Sequence, residues 1–351
     1  IMSSDWSSDV CSSDLYGSFS KTNTCTYRKN GTKESFTGPD NITYGYLYDN
    51  NQLAGIQIPN KGFITINDYT WNRPAAMTLP GGTSKEFTYD PLMRITKMTS
   101  ADPGGNPILH WQYTYDKMDN ITARQTDHGS YQYDYDDLDR LTAADSPAVA
   151  GLTDEDFTYD GVGNRLSSAE AAGDWTYNSN NELLSVPGLS GASSPVSYDY
   201  DANGNLTQKT VGTEVTSYVY NTEDRLVEVW DGEPETGSLT ASYYYDPFGR
   251  RLWKEVGGTR TYFHYSDEGL VAEMDAAGNV TKSYGWQPGS TWGTDPLFMR
   301  TGGEYYFYHN DHLGTPQKLT SSNGAVVWSA KYEAFGKAEI APESTVVNNL
   351  R

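Results

Sequence analysis

Long apolar runs are missing from this chain: no stretch approaches the roughly 20 residues that a membrane-crossing helix needs. No segment combines the basic start and apolar middle of a signal peptide. Basic residues are scarce, 25 Lys and Arg against 46 Asp and Glu, for a net charge of −21. That balance disfavours a nucleic-acid partner, because phosphate binding requires a basic face, and favours solubility or a cationic partner. Cys11 and Cys25 are the only cysteines, too few for a disulfide framework. Histidines number five, at 110, 128, 264, 309 and 312. With no Gly-x-Ser-x-Gly elbow beside them, a hydrolytic triad is unsupported. No window carries a sustained helical period, so very little helix is expected. Aliphatic residues are also thin, since 28 tyrosines make up much of the 36% hydrophobic content. A thick aliphatic core is therefore not expected; tyrosine, apolar with a polar tip, suits a sheet with one wet face.

What the chain has instead is a beat. A tyrosine followed by aspartate closes YLYD at Asp49, FTYD at Asp90, YTYD at Asp116, YDYD at Asp136, FTYD at Asp160, YDYD at Asp201 and YYYD at Asp246. Degenerate beats fall at Tyr69, Asn178, Asn221, Ser266 and His309, and successive beat tyrosines between 48 and 265 lie 18 to 26 residues apart. Such a period signals a stacked array whose units cannot each bury a core alone.

Each beat places aromatics at alternate positions, as in Phe87 and Tyr89, which is strand spacing. Turn formers follow, such as Asp246-Pro247-Phe248-Gly249 and Asp201-Ala202-Asn203-Gly204, and then a second short run such as Arg94-Ile95-Thr96-Lys97. The unit reads as a β-hairpin. The expected fold is all-β: consecutive hairpins joined in one continuous array over 16–300, with 301–351 distinct in its motifs. Residues 1–15, where Ser-Ser-Asp recurs at 3–5, 7–9 and 12–14, match neither the hairpin pattern nor a leader and are expected to be disordered or non-native.

Near the end, Tyr305-Tyr306-Phe307-Tyr308-His309-Asn310-Asp311-His312-Leu313-Gly314-Thr315-Pro316 is followed by Gly324, Val326-Val327-Trp328 and Tyr332-Glu333-Ala334-Phe335-Gly336. This resembles the core signature of RHS-type YD-repeat proteins. There, Tyr308, Asp311, His312, Leu313, Gly314, Thr315 and Pro316 correspond to one motif, Trp328 to a second, and Tyr332, Phe335 and Gly336 to a third, all structural. Gln317 departs from the arginine often found in that family. The resemblance implies hairpins spiralling into a hollow, cocoon-like shell around a C-terminal toxin, as in wall-associated repeat proteins, toxin-complex shells and teneurins. It also implies a self-cleavage segment with paired aspartates and a toxin domain, both expected beyond Arg351, so this chain is expected to be a non-catalytic scaffold. Its implied partners are the toxin cargo, a cognate immunity protein and a secretion apparatus, and its implied location is secreted or on a bacterial surface.

Other patterns admit a sharper and a blander reading. His309, Asp311 and His312 could ligate a metal, but they also form the structural motif, and no metal or cofactor is assigned. Asp199, Asp201, Asn203 and Gly204 match the opening of a calcium loop, yet Thr210 stands where the bidentate glutamate belongs, which favours a hairpin turn. Asp134, Asp136, Asp137 and Asp139 read as a solvated, aggregation-resistant edge. The Asp-Pro pairs at 90, 102, 246 and 295 read as turn elements without catalysis. Two further functions stay open: a surface adhesin stacking tyrosines on sugars, and, with least support, a glycoside hydrolase using a carboxylate pair.

Overall fold

The computed structural model describes residues 9–169, 171, 173–188 and 194–350. Among them, 32 strands and one short 3-10 turn at Ala148–Ala150 make up the regular structure. Within each of three sheets, of 14, 2 and 16 strands, successive strands are neighbours in chain order and pair antiparallel. The all-β hairpin array expected from the sequence is thus the observed fold, though it is broken on either side of the pair Thr158–Tyr159 and Arg165–Ser167 rather than continuous. The chain divides into two compact units, one of residues up to 114, 124–129 and from 262 on, the other of 115–123 and 130–261. The expected boundary at 300/301 falls inside the first unit. Of the segment 1–15 expected to be disordered or non-native, residues 1–8 lie outside the described residues. Asp9–Leu15 is a strand paired with Ser20–Tyr27, so disorder does not extend over this part of it.

A recurrent irregularity gives each hairpin its shape. In the pair Ser84–Tyr89 and Ile95–Ala101, Thr88 faces Lys97 but Tyr89 faces Ile95, leaving Thr96 as an extra residue on the return strand. The same shift occurs immediately before Tyr48, Tyr135, Tyr159, Tyr177, Tyr200, Tyr220, Tyr245 and Tyr265. A bulge of this kind bends the strand and re-aims the adjoining side chain. The repeated tyrosine is thereby turned toward the preceding hairpin.

The units differ inside. In the first, strands from the N-terminal ladder and from residues beyond 262 share one buried cluster that includes Ile56, Ile58, Ile64, Phe298, Phe307, Tyr308, Leu319 and Trp328. This interior is thicker than the composition suggested, because two ladders contribute opposed apolar faces. In the second, a described cluster consists of Ala171, Val186 and Val196 with Trp175, Leu183, Tyr198 and Val211 packed on it. This cluster is small, as a tyrosine-rich sheet leads one to expect.

Candidate functional site

The repeated Tyr-Asp pair is two devices. The tyrosine works backward: its hydroxyl donates to a main-chain carbonyl of the previous hairpin. Tyr48 reaches Lys33 (2.9 Å), Tyr69 reaches Leu53 (2.6 Å), Tyr89 reaches Pro74 (2.7 Å), Tyr135 reaches Ile121 (3.0 Å) and Tyr177 reaches Arg165 (2.6 Å). Tyr200, Tyr245 and Tyr332 repeat it on Leu183, Leu226 and Pro316. Bulge and aromatic length together let the ring cover the junction while its polar tip finds a partner, as a partly buried phenol requires.

The aspartate works locally and forward. Asp136 Oδ1 accepts from the amides of Leu138 and Arg140, and Oδ2 accepts from Arg140 Nε at 2.7 Å. The same geometry holds at Asp90, Asp102, Asp116, Asp160, Asp201 and Asp275, with Arg or Asn four residues on. These side-chain bonds, that of Arg140 first at Asp136 and that of Asn205 first at Asp201, hold the carboxyls below their ordinary value. The residue four on then reaches the next repeat: Arg140 donates to the Asp160 carbonyl at 3.1 Å and lies over the Tyr159 ring, while Asn120 and Asn205 donate to Asp139 and Asp224.

This settles several sequence readings. Asp201 spends its oxygens on Asn203 and Asn205, so the Asp199–Gly204 segment is a hairpin turn. The acidic cluster is solvated as expected, with Asp134, Asp137 and Asp139 exposed, but its strand is paired on both sides and is not an edge; Asp136 caps its turn and Asp139 accepts from Asn120. Asp90, Asp102 and Asp246 cap hairpin turns as expected. Asp295 caps none; it sits at φ +56° and its Oδ1 accepts from Asn310 Nδ2 at 2.5 Å in the segment joining two strands. Sequence reasoning missed that clamp, since its partner lies 15 residues away.

The terminal motif is a variant of the same unit. Asp311 Oδ1 caps the amides of Leu313 and Thr315, and its Oδ2 accepts from Gln317 Nε2 at 3.0 Å. Where other aspartate caps pair with the fourth residue's side chain, Asp311 takes this amide six residues on, and burial pushes its carboxyl up against the lowering effect of its amide bonds, His312 and Arg124. Gly314 takes φ +83°, and a Cβ there would lie 2.6 Å from the Asp295 nitrogen, so this position needs glycine. Pro316 is buried and supplies the carbonyl that Tyr332 binds. Tyr308 and Trp328 are in the core, with the Tyr308 hydroxyl donating to Asn348 Oδ1 at 2.8 Å. His312 packs its ring 4.8 Å from that of Tyr113, and burial lowers its pKa. Leu313 and Phe335 are exposed at turn tips, and Gly336 has φ +88°. His309 uses both ring nitrogens, on Ser100 and Thr320 hydroxyls at 3.0 Å each, so it has none left for a metal. Among the described residues no group of three or more His, Cys, Asp or Glu is placed to hold one.

Residues 306–339 match the family model described as RHS protein. A tRNA3(Ser)-specific nuclease WapA of Bacillus spizizenii is 31% identical over 207 residues, which is 56% of this chain and 8% of the relative. A double-stranded DNA deaminase toxin A of Burkholderia cenocepacia is 27% identical over 291 residues, 74% of this chain and 20% of the relative. The chain thus spans a fifth or less of these proteins' lengths. Among solved structures, a Photorhabdus luminescens Tc holotoxin pore superposes with a TM-score of 0.67 at 15% identity, over 91% of this chain and 18% of that one. The fold and its junction chemistry define a hairpin-array protein, in which repeated tyrosine, arginine and asparagine side chains bond one hairpin to the next. Its Tyr-Asp beats, its terminal motif at 306–339 and these relatives make the chain related to RHS repeat proteins.

Proposed function

We propose that this chain is a non-catalytic stretch of the encapsulating shell of a bacterial RHS-type polymorphic toxin, acting by containment in interbacterial competition. On this reading the full protein is secreted or displayed at the cell surface, encloses a C-terminal toxin, and meets a cognate immunity protein and a secretion apparatus. The observation that carries the reading is how the acidic groups are used: the beat aspartates from Asp90 to Asp246 are consumed as turn caps and beat tyrosines such as Tyr48 and Tyr89 as stitches, which builds a wall. Paired strands also leave few open edges on which a cargo could template aggregation.

The gene beyond the codon for Arg351 provides one test, with a variable domain and an immunity-type neighbour expected. Co-expression with that downstream polypeptide provides another: the wall should shield it from added protease until the wall is denatured. A downstream polypeptide digested as fast with the wall as without it would overturn containment.

One observation favours a second reading, a carbohydrate-binding adhesin. A groove of about 540 Å³ in the first unit is lined by Tyr27, Tyr48 and Tyr69 beside Asn51, Gln52 and Asn72, the mix of aromatic faces and amides that sugars bind. Glycan-array binding lost in Tyr69→Ala would support it, and a blank array would dismiss it.

A further inference from the structure

The second residue after each capping aspartate or asparagine stands at the apex of its turn. Its main chain is fixed by the cap and its side chain points to solvent, so the position makes no demand for an apolar residue. Asn180, Asn203 and Glu223 occupy it without consequence for the turn. In three successive repeats of the second unit, however, it carries Met118, Leu138 and Val162, which are 65%, 70% and 73% exposed. These apices are neighbours: Asn120 bonds Asp139, and Arg140 bonds the Asp160 carbonyl. Three large apolar side chains in a row, each uncovered, are an interaction surface rather than scattered exposure.

Spacing and charge say what covers it. The hairpins of Met118 and Leu138 are consecutive in one sheet, two strands or about 9.5 Å apart. The Val162 hairpin is a separate strand pair tied to the Leu138 turn by the Arg140 bond to the Asp160 carbonyl. Residues i and i+7 on one face of an α-helix are about 10.5 Å apart. The loops 116–120, 136–140 and 160–164 hold six aspartates against Lys117 and Arg140, a net charge of −4. We propose that the row Met118, Leu138 and Val162 is a docking strip for a basic amphipathic helix that sets an apolar residue on each apex, with lysines or arginines over the flanking carboxylates. A second copy of this acidic chain would bring like charge to the strip and is disfavoured.

The probe is a synthetic 21-residue helical peptide with leucines seven apart and lysines flanking them, titrated by fluorescence anisotropy against the full chain. Expected results are saturable binding, at least a tenfold loss in Met118→Ser/Leu138→Ser/Val162→Ser, a similar loss when the leucines are moved off the seven-residue spacing, and weakening with salt. The three side chains are exposed, so circular dichroism of the triple variant should match the parent; Asp137→Lys, tested separately, should weaken binding without touching the apolar row. Equal binding by the parent and triple variant would overturn the proposal. So would equal binding of the respaced peptide, or concentration-dependent dimerisation that the triple variant abolishes.

Discussion

The Tyr159 hydroxyl donates a 2.7 Å hydrogen bond to the carbonyl of Leu141, eighteen residues earlier on the previous hairpin. This bond closes a junction that strand pairing alone leaves to side-chain contact. Tyr159→Phe keeps the ring and removes the donor, so its cost measures the stitch: about 1 kcal/mol by urea unfolding, with the Leu141 carbonyl left short of a partner. Tyr244, 56% exposed and stacked on Trp253, serves as control, and Tyr244→Phe should change stability by less than about 0.5 kcal/mol. Equal effects at the two positions would mean that the stitch contributes nothing.

The capping aspartates make the array acid-sensitive. At Asp136 and Asp201 the folded-state pKa lies below the ordinary value of 3.8, through side-chain bonds from Arg140 and Asn205 first and amide bonds after. A carboxyl depressed on folding stabilises at pH above its unfolded value, and that contribution is lost as pH falls through the folded one. The urea midpoint should therefore drop below about pH 4. Asn178 and Asn221 already cap turns through Oδ1 in natural repeats, so Asp201→Asn should keep the fold and flatten this acid slope, whereas Asp201→Ala should lower the midpoint at neutral pH. A slope unchanged by Asp201→Asn would show that this cap is not part of the acid response.

These junctions explain what could and could not be read in advance. The beat, its alternating aromatics and its turn formers specify a hairpin within about twenty residues, so Ser84–Tyr89, Asp90 and Ile95–Ala101 were all legible. The partner of each tyrosine was not, because it depends on the bulge and on a hairpin behind it. Asp139 looked like one charge in an acidic edge, and only the approach of Asn120 from the neighbouring turn gives it a role. The thicker interior of the first unit was hidden for a similar reason: Ile56 and Phe298 are 242 positions apart, and no periodicity announces that they share a cluster.

An ion pair spans a similar distance. Lys33 and Glu268 meet at 2.5 Å with side chains 8% and 9% exposed, and Glu268 also accepts from the Ser266 hydroxyl. Removing one charge strands the other in a dry setting, so Lys33→Met should cost about 3–5 kcal/mol. Lys33→Met/Glu268→Met, which removes both, should recover much of that loss in a double-mutant cycle. A single-variant cost below about 1 kcal/mol would place the pair in effective contact with water.

His309 gives the array a second pH response, in a different window. It is 1% exposed between Ser100 and Thr320. Burial first, then Lys85 and Lys318, holds its pKa well below the ordinary 6.5. Folded His309 stays neutral while the unfolded chain takes up a proton below pH 6.5, so the unfolded state binds more protons and stability falls with decreasing pH. The slope from this group approaches about 1.4 kcal/mol per pH unit once pH is clearly below 6.5. His128 and His312, also lowered chiefly by burial, act in the same direction, so His309→Gln should reduce the slope between pH 6.5 and 5 without abolishing it. Unfolding midpoints at half-unit pH steps would show this. An unaltered slope in His309→Gln would mean that His309 becomes charged in the folded protein, which the two hydroxyls around it could meet only by turning their oxygens toward the ring.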